Sequence, residues 1–252
     1  MILTDFHTHT IFSHGKGTIE ENVKRAEELG LKEIAITDHG LKHIVFGLRP
    51  WKVRKMRKII DELQKTTSVK ILLGVEANLI SRNGDIDIKP KQREWFDIVV
   101  CGYHKAVFSN NFFGWFRFIF KNNFLQFLHI KQSERTKEIN TRALIKAVEK
   151  NKIDILGHVN HDMRVDAVAV ARACKEKGTY FEINAKKEHI DTETLKEVEK
   201  TGVQFVIDSD AHTVARVGEF SRALEMCQKA DIPLERIANY NKVPRLLSDN
   251  EE

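Results

Sequence analysis

A short apolar, β-prone run followed by a helix-patterned stretch recurs seven times along this chain. The runs are Ile2–Phe6, Glu33–Thr37, Lys70–Glu76, Asp97–Gly102, Ile153–Gly157, Tyr180–Asn184 and Gln204–Asp208. Several are nearly continuous in Val, Ile, Leu and Phe, the pattern of parallel strands buried on both faces. Helix punctuation lies between them. Thr18 and Glu21 have capping-box spacing, and Gly30 stands where that helix should end. Pro50 can open the next helix. Ser133 begins a helical pattern that runs to Lys150, and further helices are expected over Val165–Lys177, Asp191–Thr201 and Thr213–Ala230. Asn83–Gly84 predicts a small hairpin after the third run. Such alternation leaves two architectures, a (β/α) barrel or a doubly wound sheet.

The residues at the end of each run choose between them. The first run leads into Asp5-Phe-His7-Thr-His9 and then Ser13-His14-Gly15; the second into Thr37-Asp38-His39. The third ends in Gly74-Val75-Glu76, the fourth in Gly102-Tyr103-His104, the fifth in Gly157-His158 and the seventh in Asp208-Ser209-Asp210-Ala211-His212. Six of the seven runs therefore place a metal-ligand type at the same end. A flat sheet would hold its edge strands far apart, whereas a barrel brings all those ends to one face, where active sites of this architecture sit. The expectation is a single domain over residues 1–252, folded as a distorted, TIM-like (β/α)7 barrel.

His7 and His9 are two apart on an extended segment, so their side chains leave the same face, and Asp210 and His212 share that spacing. Neutral imidazoles and carboxylates bind Zn²⁺, Mn²⁺ or Fe²⁺. A lone histidine is more often a hydrogen-bonded structural residue than a ligand. A whole set at equivalent strand ends points to a site of more than one ion.

These motifs (DFHTHT, the SHG after it, ITDHG, GVE, GYH, GH and DSDAH, in that order) resemble the PHP (polymerase and histidinol phosphatase) superfamily, from Asp5 to Val217. The resemblance implies a trinuclear centre of divalent ions. His7 and His9 would hold one ion with Glu76 and Asp210; Glu76 would bridge to a second, held also by His104 and His158; His14, His39 and His212 would hold the third. Many relatives carry Asp where this chain has His14, which is similar to the phosphatase branch. Catalytic roles would fall to Glu76, Asp210 and His212. Asp5, Asp38 and Asp208 match non-ligand positions, with two readings: they orient ligand histidines, or they cap loops.

The activity implied is hydrolysis of phosphate monoesters of small metabolites, histidinol phosphate being one family substrate, by attack of a metal-bound hydroxide. Two alternatives stand beside it: a phosphodiesterase or exonuclease acting on nucleic acid, and a catalytically silent metal-binding barrel. A net charge of +5 favours anionic partners. The basic stretch from Arg49 to Lys58 reads as a solvated helix face in preference to a nucleic-acid patch, since Trp51 is its only aromatic residue. More than half of the 15 phenylalanines fall in residues 108–127, which reads as packing against the barrel, a lid, or a partner or membrane surface. No apolar run approaches the roughly 20 residues that span a bilayer. Cys101, Cys174 and Cys227 are odd in number and far apart, so no disulfide framework is expected. A cytoplasmic protein is expected, with homo-oligomerisation left open.

Overall fold

The computed structural model describes residues 1–109, 112–128 and 132–247. Seven strands form one sheet in sequential order: β1 (Thr4–Thr8), β2 (Glu33–Ile36), β3 (Lys70–Asn78), β4 (Ile98–Gly102), β5 (Ile155–Leu156), β6 (Tyr180–Asn184) and β7 (Phe205–Asp208). Each is parallel to the next. The crossovers carry the helices α1 (Ile19–Glu28), α2 (Pro50–Leu63), α3 (Pro90–Arg93), α4 (Phe112–Trp115), α5 (Lys121–Phe127), α6 (Glu134–Lys150), α7 (Ala167–Lys177) and α8 (Thr192–Glu199), and α9 (Ser221–Lys229) comes after β7. The expected barrel of seven β/α units is what forms, nearly closed.

Closure is the weak point of a seven-stranded ring, and polar side chains complete it. Past the strand ends, the His9 amide donates to the Ala211 carbonyl at 2.8 Å and the Ala211 amide to the His7 carbonyl at 3.2 Å. Lower down, an Asp208 carboxyl oxygen accepts from the Phe6 amide at 2.6 Å. Asn239 fills the rest of the gap: its amide donates to the Thr4 and Ile207 carbonyls and its oxygen accepts from the Ile207 amide. A side-chain amide thus stands in for a missing strand, since buried backbone groups must find partners.

Alternation along the strands sorts the core. Phe6, Ala35, Leu72, Ile98, Val100 and Val206 pack inside the barrel. Residues of opposite parity, such as Ile34, Leu73, Val99 and Ile207, pack outward against helix residues including Val23, Met56, Ala147 and Val170. Strand β1 breaks the alternation. Asp5 pairs with Ile34 but Thr8 with Ile36, so β1 carries one extra residue. This bulge lets Phe6 fill the interior while His7, next in sequence, also reaches into it.

The punctuation is realised where expected: the Thr18–Glu21 capping box forms, Gly30 takes φ +72° just past α1, Pro50 opens α2 and Ser133 caps α6. Asn83–Gly84 lies in a tight hairpin whose arms meet at Leu79 and Ile86. Two expectations need correction. The fifth run keeps only two residues as strand, because Asp154 turns its carboxylate onto the Val99 amide at 2.8 Å. The helix expected over Thr213–Ala230 is broken into a short 3₁₀ turn (Val214–Arg216) and α9. The break falls at Gly218, which has φ +73° and donates its amide to Asp5.

The phenylalanine-rich segment is only in part core. Between α4 and α5 the chain makes a π-helical turn, Phe116–Phe120, which buries Phe118 and Ile119 against Tyr103. Phe113, Phe116, Phe120, Phe124 and Phe127 are exposed. The side chains of Phe112 and Arg117 lie outside the described ones. No helix among the described residues is long and apolar enough to cross a membrane.

Candidate metal centre

Glu76 stands at the middle of the barrel mouth with five histidines around its carboxylate. Its Oε1 lies 2.6 Å from His158 Nε2, 3.1 Å from His104 Nε2 and 3.3 Å from His7 Nε2. Its Oε2 lies 2.7 Å from His39 Nδ1 and 3.6 Å from His9 Nε2. Asp210 completes the ring opposite, with Oδ1 3.5 Å from His9 Nε2 and 3.3 Å from His212 Nδ1. Glu76 is not at the end of its run as expected, because β3 continues to Asn78.

Among the described residues, three groups of ligand atoms each lie within 4.8 Å of one another: His7, His9 and Glu76; His39, Glu76 and His104; His9, His39 and His212. His14 belongs to none of them. Its exposed ring stacks on Phe46 at 4.5 Å and meets His212 edge-on at 4.7 Å. These groups hold six of the nine expected ligands; His158 joins them through Glu76 Oε1 and Asp210 through His9 Nε2, and His14 stands at the rim beside them.

Local backbone serves this convergence. His158 and Asp210 hold φ of 29° and 47°, in the left-handed region that costs side chains about 1 kcal/mol or more. Gly102 is required next to them, because a β-carbon there would overlap the His158 ring.

The donor set fits divalent cations. His7 Nε2, His9 Nε2, His39 Nδ1 and Glu76 Oε2 are buried with no hydrogen-bond partner. Each such orphan costs about 1–3 kcal/mol unless something satisfies it, and imidazole nitrogens aimed at carboxylates are what a metal ion takes. The charges agree. Burial alone would raise the Glu76 carboxyl, but His104, His7 and His39 hold it well below its ordinary range. Burial opposes ionisation of Asp210 too, and His7, with His212 and His9 close to the carboxylate, outweighs it. Burial lowers His9 and His104, leaving neutral imidazoles ready to ligate.

Several functional residues escaped the motifs. Glu182 sits within β6, the one run without an expected ligand, and accepts at 2.6 Å from both His7 Nδ1 and the His158 amide. It fixes His7 so that Nε2 faces the centre, as carboxylates behind metal-binding histidines do. Asn78 does the same for His104, its Oδ1 2.6 Å from Nδ1. The only signal in the sequence was a buried-strand run interrupted by polar residues, Tyr180-Phe-Glu-Ile-Asn184. Asp5, Asp38 and Asp208, by contrast, tie down backbone and loops. Asp38 accepts from the Thr10 amide and hydroxyl and from the Ser13 hydroxyl, and Asp5 from the Ser209 amide and hydroxyl and the Gly218 amide. Two cations of the basic stretch are engaged within the fold: Lys52 donates to the Phe12 carbonyl at 2.6 Å, and Arg57 holds Asp97 through two bonds of 2.9 Å; Arg49, Arg54, Lys55 and Lys58 are exposed.

A parallel barrel with histidines and carboxylates gathered at its C-terminal mouth has the build of a barrel metalloenzyme. The family model described as PHP domain matches residues 5–243, and the chain belongs to that family. A probable phosphatase of Shewanella sediminis is 31% identical over 258 residues, covering 97% of this chain and 92% of the relative. Among solved structures, the histidinol phosphate phosphatase of Lactococcus lactis, complexed with zinc, L-histidinol and phosphate, superposes with a TM-score of 0.58 at 19% identity, over 90% of this chain and 93% of the other. A histidinol phosphatase structure from Listeria monocytogenes gives 0.60 at 17% identity, over 85% and 97%. At such identities these structures speak for the fold.

Proposed function

We propose that this chain, a phosphate-ester hydrolase, is a cytoplasmic phosphomonoesterase of small metabolites that works with three divalent ions. The observation that carries the reading is the Glu76 carboxylate, encircled by His7, His9, His39, His104 and His158. His7, His9, Glu76 and Asp210 would hold one ion; Glu76, His104 and His158 a second; His39 and His212, with His14 at the rim, a third. Bound ions supply a deprotonated water as nucleophile and counter-charge for the phosphoryl oxygens.

The protein's own part is placement. Glu182 and Asn78 hold His7 and His104 in a single orientation. Glu76, Asp210 and His212 line a cleft of about 300 Å³ and are the residues this reading assigns to catalysis. That volume suits a small phosphate ester. The basic stretch gives little support to nucleic acid as substrate, since Lys52 and Arg57 are engaged within the fold and Trp51 is its only aromatic residue for base stacking. Three buried free cysteines accord with a reducing compartment.

Metal-reconstituted protein given p-nitrophenyl phosphate and bis-p-nitrophenyl phosphate side by side tests this reading. The monoester should be turned over, activity should vanish on chelation, and it should return with added metal. Preference for the diester, or indifference to chelation, would overturn it.

A further inference from the structure

The wall of the cleft above the candidate centre is cationic. Besides the expected ligands Glu76 and Asp210, Asp162 is the only acid lining it among the described residues, and Asp162 is paired with Lys105 at 3.1 Å. Lys186, Lys187 and His189, beyond β6, make up one side, joined by His161 from the loop after β5, whose ring lies 4.6 Å from that of His189. Glu188, next in the chain, is not part of this wall.

The two lysines sit on a built ledge. Buried Asn184 accepts from both the Lys186 and Lys187 amides, at 3.0 and 3.2 Å. Its own amide donates to Glu182 at 3.0 Å and to Asp210 at 3.3 Å. One side chain therefore ties the lysine loop to the metal-side carboxylates. Lys186 points its ammonium at the centre, 3.2 Å from Asp210 Oδ1 and 3.1 Å from His212 Nδ1. Lys187 is exposed one residue further along the wall, beside His189.

A phosphate seated on the ions leaves the rest of its molecule against this wall. We propose that the substrate carries a second anion, a phosphate or a carboxylate, which Lys187 receives while Lys186 faces the phosphate to be removed. The inference rests on the phosphatase reading above and deepens it. It sets this protein apart from enzymes acting on amino-alcohol phosphates such as histidinol phosphate, whose ammonium group this wall would repel.

Four esters of one length test it on metal-loaded protein: propyl phosphate, 3-phosphooxypropanoate, propane-1,3-diol bisphosphate and 3-aminopropyl phosphate. Both esters with a second anion should exceed propyl phosphate in kcat/KM by about tenfold, the order of one near-surface charge contact, and the amine should fall below it. Lys187→Ala should bring the anionic-to-neutral ratio towards one, and Lys187→Glu should invert it. Calorimetry gives a readout without turnover: phosphonoacetate should bind about tenfold more tightly than ethylphosphonate, and Lys187→Ala should remove that difference. A carboxylate effect without a bisphosphate effect, or the reverse, identifies which anion the ledge takes and supports the inference. Equal rates across the series, or preference for the amine, overturn it. If no ester is hydrolysed, the phosphatase reading falls, and the phosphonate comparison still decides the ledge.

Discussion

Strands β1 and β7 each carry acidic or imidazole groups at two levels, and the levels behave differently. At the seam, Asp5 has its carboxylate filled by the Ser209 amide and hydroxyl and the Gly218 amide. Two residues on, at the mouth, His7 Nε2 and both ring nitrogens of His9 are buried without partners. Across the gap, Asp208 bonds the Phe6 amide, while Asp210 faces several histidines and Lys186. Burial is near total at both levels, so burial does not tell structure from function here. Satisfaction does. Groups that the fold fully pairs hold the chain together, and the cluster of orphaned ligand atoms at the mouth is what a bound ion would satisfy.

The sharpest way to break that comparison is to truncate one acid at each level. Asp210→Ala should lower phosphatase activity by at least about a thousandfold, as loss of a ligand within a cooperating set does, and reduce bound metal, while the apo protein stays folded. Full activity in that variant would remove Asp210 from the centre. Asp5→Ala should do the reverse. It strands buried donors and should cost about 3 kcal/mol in urea unfolding, with metal content per folded molecule retained. If instead Asp5→Ala empties the centre and leaves stability untouched, the seam and mouth are not separate.

This difference also decides what was legible beforehand. The mouth could be read because ligand chemistry uses few residue types and parallel β/α order puts them at equivalent strand ends, as with His39, His104 and His158. The seam could not, because Asp5 and Ser209 meet only when the barrel closes. Nor could the bulge in β1, which changes the face of a residue without a mark in its identity. Gly218 did mark the helix break, although a continuous periodic pattern hid it. The phenylalanines of residues 108–127 left their readings open in a simpler way, since composition does not say which of them, such as Phe118, will be buried.

A smaller effect lies behind the mouth. Glu182→Gln keeps the shape but weakens the acceptor that orients His7, and should cost ten- to a hundredfold in zinc affinity. Burial would lower His7, but Glu182, Glu76 and Asp210 raise it well above its ordinary value. The metal-free protein thus holds a proton on His7 that an ion must displace, and zinc should bind more tightly as pH rises towards that raised value. Removing the Glu182 charge should make this slope shallower. Titrations of zinc at several pH values with a competing chelator would show both changes, and an unaltered affinity and slope would leave Glu182 with no role at the centre.

The smallest effect returns to the seam, where one carboxyl oxygen breaks the pattern: Asp208 Oδ2 is buried and unpartnered. Burial first, and then Glu182 and Asp5, push the Asp208 carboxyl well above its ordinary value, against the bond from Phe6. The seam therefore keeps this acid protonated where the mouth keeps its acids charged. A proton bound more tightly in the folded than in the unfolded chain lends stability that is complete below the unfolded value, near 3.8, and is lost as pH rises through the folded one. Asp208→Asn mimics the neutral acid and retains an acceptor for the Phe6 amide. It should be equal in stability to the parent, or better by about 1 kcal/mol, at neutral pH and above. Below the raised value the advantage should shrink. Urea midpoints for parent and variant across pH 5–9 would show the curves diverging as pH rises; parallel curves would mean that Asp208 is ionised, and that seam and mouth handle buried acids alike.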